Sequence, residues 1–86
     1  MDNTPVAKPD RRIQKTKKAI YEALIDLMRK KKLSSITVTE LSAAADINRK
    51  TFYTYYSTVN DVLDECMEEL IISLKRLIHE MSEDFN

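Results

Sequence analysis

An 86-residue chain without a single glycine has few ways to turn sharply, and that absence narrows its possible folds more than any other feature. Glycine adopts positive φ without steric penalty, so its loss removes most tight β-hairpins and every glycine-rich phosphate loop. Proline occurs only at Pro5 and Pro9. Hydrophobic residues make up 43% of the chain, enough for the core of one small helical domain but not for two domains.

The chemical inventory is equally restrictive. Cys66 is the only cysteine and His79 the only histidine. No intrachain disulfide, cysteine-based zinc site or nucleophile–base–orienter set can be assembled from them. Glu68 and Glu69 are adjacent, so on a helix they project about 100° apart and do not act together. The expectation is a protein that is not an enzyme and takes no metal or cofactor. No apolar run approaches the roughly 18 residues of a membrane span. The opening MDNTPVAKPD lacks a signal-peptide core, so a cytoplasmic protein with no membrane partner is expected.

The formal net charge is zero, but it is unevenly distributed. Through Tyr56 there are twelve Lys or Arg against six Asp or Glu; from Ser57 onward there are two against eight. A basic first part suits a polyanion, and the acidic last part suits something else.

Residues 1–9 read as a flexible arm, followed by a first helix over 10–32 capped by Asp10. Its apolar positions Ile13, Ile20, Ala23, Leu24, Leu27 and Met28 recur at helical spacing, and Arg29-Lys30-Lys31-Lys32 suit its C-terminal dipole. Thr37 and Glu40 fit a capping box opening a second helix over 38–45, with Leu41, Ala44 and Ala45 inward. Asn48 caps a third helix over 49–56. Thr58 and Asp61 form another capping pattern, opening a long fourth helix over 59–81. Its outer face is read as acidic, with Asp61, Asp64, Glu65, Glu68 and Glu69. Cys66 and the methionines are expected in the core, and His79 in solvent.

The two short helices joined by a three-residue break predict a helix-turn-helix, whose second helix enters the DNA major groove. That second helix is NRKTFYTYY, residues 48–56. On a helical wheel Phe52 and Tyr56 lie about 40° apart, while Lys50, Tyr53 and Thr54 lie opposite, with Arg49 beside Tyr53. One stripe is suited to burial and the other is polar and cationic.

From Thr37 to Leu63 the sequence resembles the DNA-binding domain of the tetracycline-repressor (TetR) family of bacterial transcriptional regulators. The resemblance rests on ITVTELSAAADINRKTFYTYYSTVNDVL and, upstream, on RRIQKTKKAIYEALIDLMRKKKL. It implies an all-α, four-helix, homeodomain-like helix-turn-helix domain over 10–57, with helix four (58–86) leading to an absent ligand-binding and dimerisation domain. By position it implies that Thr37 and Thr39 touch phosphate and that Arg49, Lys50 and Thr51 face base edges or phosphates. Tyr53 and Tyr55 fall where the family places phosphate-contacting groups, and Asn48 and Thr54 complete the implied DNA-binding surface. The implied partner is a double-stranded, palindromic operator bound by a homodimer of the full-length protein, usually for repression. A small-molecule effector would act only through the absent domain.

The sequence departs from the family pattern in three places. Asp46 stands where the turn usually carries glycine, Val59 stands where helix four often begins with a phosphate-binding lysine, and the chain stops after helix four. Val59 keeps open a second reading, a small helical protein-interaction module docking through the long acidic helix. The cations at 29–32 read as a solvated helix end. Arg11, Arg12 and Lys15 sit where a basic arm reaches phosphate or the minor groove. Leu74, Leu77, Ile78 and Met81 are left with nothing to pack on, so a further domain or a second copy is expected to cover them.

Overall fold

The computed structural model describes residues 4–85, with the side chains of residues 11–83. Its helices are α1 (Thr4–Met28), α2 (Val38–Ala44), α3 (Arg49–Tyr55) and α4 (Val59–Phe85), with a 3-10 turn at Leu33–Ser35. The expected all-α, long–short–short–long order is therefore present. No described helix is long and apolar enough to cross a membrane.

The ends of α1 differ from expectation. It starts at Thr4 rather than Asp10, because Pro5 lies in a first turn whose N–H groups lack helical partners anyway. Residues 1–3 of the expected arm lie outside the described residues. The helix ends at Met28, and the N–H groups of Lys30 and Lys31 both reach Leu27 O at 3.0 Å. The chain leaves the helix there, and Leu33 turns back to pack against the core. The cations at 29–32 thus follow the helix end instead of forming its last turn.

All four helices contribute to one core. Ile20, Ala23 and Leu24 come from α1, Ile36 from the link, Leu41 from α2, Phe52 and Tyr56 from α3 and its cap, and Val59 and Val62 from α4. Phe52 is completely buried, and the Tyr56 ring lies 5.6 Å away, tilted by 46°. These are the two α3 aromatics that the wheel assigned to the interior.

The inward face of α2 needs correction. Ala44 is exposed and Ser42 is buried, because Val38, Leu41, Ser42 and Ala45 follow the three/four spacing and Ala44 falls outside it. The Ser42 hydroxyl has no hydrogen-bond partner among the described residues. Met28, Met67 and Met81 are exposed and Cys66 is half-buried, so the expected sulfur-rich core is not formed. Met28 is the last residue of α1, Met67 lies on a side of α4 that faces away from α1, and Met81 lies on the part of α4 that extends past the other helices.

Local capping fixes the breaks between helices. α2 ends with the Asp46 N–H on Ala43 O at 3.1 Å and the Ile47 N–H on Ser42 O at 3.0 Å. This Schellman pattern requires a left-handed residue, and Asp46 supplies it at φ 62°. At the next break, Thr58 Oγ1 accepts from the Asp61 N–H while Asp61 Oδ2 accepts from the N–H groups of Ser57 and Thr58, each at 3.1 Å. This closed box aims the start of α4.

Asp46 adopts a backbone conformation that a side chain with a Cβ resists. Asp46→Gly should therefore stabilise the domain by about 1 kcal/mol, measured as a rise in the urea midpoint with an unchanged slope.

Candidate nucleic-acid interface

The surface predicted to contact DNA is built from the first turns of α2 and α3. Thr37 caps α2, its Oγ1 accepting from the Glu40 N–H at 3.0 Å. The reciprocal half of that box is absent: the Glu40 carboxylate instead takes the Lys31 ammonium at 3.0 and 2.9 Å. An ammonium is a stronger partner for a carboxylate than a backbone amide, and Lys31 follows directly from the end of α1. Asn48 caps α3, with Oδ1 accepting from the Thr51 N–H at 2.8 Å.

One contact joins the two first turns. Arg49 Nη1 donates to Thr39 Oγ1 at 3.4 Å, bringing together two residues ten positions apart. Arg49, Lys50, Tyr53 and Thr54 are exposed along α3, while Thr51 is half-buried. Thr54 turns its hydroxyl back to donate to Lys50 O at 3.1 Å. The Tyr53 ring meets Phe52 edge-on at 5.6 Å and 89°, so it is braced by the core even though it is 55% exposed.

The expected site residues thus differ in how they are used. Arg49, Lys50 and Tyr53 are presented outward. The Asn48 carbonyl oxygen and the Thr54 hydroxyl serve local backbone groups. Tyr55 is half-buried against the core, with the Lys17 ammonium 5.9 Å from its ring centre. Of the other cations, Arg29 lies 3.9 Å from Asp26, and Arg11, Arg12 and Lys15 are exposed on α1.

A second cluster sets how α3 sits on the fold. The Tyr56 and Tyr21 hydroxyls donate to Glu65 Oε1 at 2.5 and 2.6 Å, and Lys17 Nζ donates to Oε2 at 3.0 Å. Lys17 also lies 5.5 Å from the Tyr56 ring centre. Glu65 therefore does not belong to the acidic outer face expected of helix four. Burial pushes its carboxyl pKa upward, but the two phenols and the ammonium together outweigh burial and lower it. Burial and then the bond to Glu65 push both tyrosines well above their ordinary value.

Neither Lys17 nor Glu65 was singled out from the sequence as part of an inward cluster, although the spacing held a signal. Each lies one turn from a fully buried residue, Lys17 three before Ile20 and Glu65 three after Val62.

The chain is similar to the uncharacterized HTH-type transcriptional regulator YxbF of Bacillus subtilis (strain 168), with 28% identity over 60 residues. That similarity covers 69% of this chain and 16% of the regulator, so the chain spans a small part of that protein's length. No family model and no solved structure matches the chain.

The lowered Glu65 pKa gives a stability contribution that is complete above the unfolded value near 4.5 and lost as pH falls through the folded value. Glu65→Gln should cost about 1–3 kcal/mol at pH 7. It should also flatten the acid limb of stability against pH, measured by urea unfolding across that range.

Proposed function

We propose that this protein is a DNA-binding transcriptional regulator that reads one operator half-site with α3 in the major groove. The observation that carries the reading is the division of α3. Phe52 and Tyr56 anchor it to the core, while Arg49, Lys50 and Tyr53 are presented together on its outer side. Guanidinium and ammonium groups supply base-edge and phosphate contacts, and a braced phenol donates a hydrogen bond to phosphate. Thr37 and Thr39 open α2 beside this row, where they set the register on the backbone of one strand. The similarity to a regulator named for its helix-turn-helix supports the same reading.

The finer proposal follows the TetR-like pattern of the sequence. Two copies bind a palindromic operator, each docking one helix-turn-helix, and repression follows from occupancy of that DNA. Asn48, Thr51 and Thr54 shape the recognition surface through the backbone of α3, and Tyr55 lines its edge beside Lys17. An effector, where one acts, does so through a domain other than this one.

The test is a mobility shift across a salt series, using double-stranded DNA from upstream of the protein's own gene. Arg49→Ala and Lys50→Ala should each weaken binding by about 1–3 kcal/mol, and loss of a phosphate contact should reduce the salt slope by about one. Tyr53→Phe should weaken binding by about 1 kcal/mol with little change in sequence preference. Unchanged affinity and salt slope in both Lys50→Ala and Tyr53→Phe would overturn the assignment of α3.

A further inference from the structure

The two cations that open α3 are not equivalent. Arg49 Nη1 donates to Thr39 Oγ1 across the turn, whereas the Lys50 ammonium has no hydrogen bond or ion pair among the described residues. Both partners of the Arg49 contact start from fixed points, since Thr37 caps α2 and Asn48 caps α3. A guanidinium held at one N–H has its plane and its other four donors restricted in direction. An unheld ammonium on a four-carbon stem is a mobile point charge. Only the first is equipped to tell one base from another.

The Thr39 hydroxyl has a second capacity left. Arginine only donates, so the contact uses a lone pair on Oγ1 and leaves the one hydroxyl hydrogen unspent. Thr39 is exposed and donates that hydrogen to no other group among the described residues. Thr54 is the opposite case, because its hydrogen is already committed to Lys50 O. At 3.4 Å the Arg49 contact is long for a hydrogen bond. A phosphate oxygen that accepts the Thr39 hydrogen polarises the hydroxyl and makes its oxygen a better acceptor, which draws the guanidinium in.

We propose that Thr39 is a positioning residue for sequence reading: it gives its hydrogen to a phosphate and, through the same oxygen, orients Arg49 toward a guanine. The guanidinium fork matches O6 and N7 of that base, and no other base presents two acceptors in the major groove. A phosphate contact by itself carries no sequence information. Here it is tied to the base contact beside it, so one hydroxyl serves both. Lys50 adds affinity rather than preference. The inference rests on the reading of α3 as the helix in the groove.

The experiment starts from a duplex that the wild-type chain selects out of a random-sequence pool, with each G·C pair then replaced in turn by A·T. Replacing one such guanine should weaken wild-type binding about tenfold or more. Arg49→Ala should remove that preference, and Lys50→Ala should keep it. Thr39→Val should cut the preference about fivefold, and Thr39→Ser should restore it. In the Arg49→Ala background, Thr39→Val should act equally on every duplex.

A Thr39→Val chain that loses the same factor on every duplex would overturn the inference, because the hydroxyl then serves phosphate alone. A guanine preference that survives Arg49→Ala would do the same. A wild-type chain that selects no sequence from the pool would overturn the reading of α3 itself, and this inference with it.

Discussion

The Glu65 carboxylate receives a phenol and an ammonium from α1 and a second phenol from the end of α3. A carboxylate drawn toward a protein interior is unfavourable unless donors replace its water, and here donors reach both oxygens. The arrangement forms only when α1, α3 and α4 meet in one relative position. Apolar contacts around Phe52 supply cohesion but tolerate small shifts. The directional bonds to Glu65 tolerate fewer, and they fix the angle at which α3 offers its outer side.

The residues that shape the candidate interface divide their work on that platform. Asn48 and Thr37 spend side-chain oxygens on helix starts, which defines where α3 and α2 begin. Arg49 then bridges to Thr39, so the two first turns share a surface. Tyr53 is more than half exposed but meets Phe52 edge-on, so one side of its ring rests against the core.

Much of this was legible in the sequence wherever the determining interaction is local. The Thr37, Asn48 and Thr58 caps each act within four residues, and the left-handed turn at Asp46 follows from where α2 must stop. Phe52 and Tyr56 were legible because a seven-residue helix has one inner face. Features set between elements were not legible. Glu40 could not be seen to choose Lys31 over its own cap, nor Glu65 to turn inward, because the partners lie on other elements, Lys31 on the link after α1 and the partners of Glu65 on α1 and at the end of α3. The Ala44 assignment failed for a simpler reason: three consecutive alanines give no contrast from which to read a face.

The unequal support along α4 has a geometric consequence. The clamp at Glu65 lies near one end of a helix that continues to Phe85, about 30 Å further at 1.5 Å per residue. A rotation of about 10° at the clamp moves the far tip by roughly 5 Å, while α3, close to the pivot, moves by a small fraction of that. In geometry, α4 therefore has a long arm away from the candidate interface and a short one beside it.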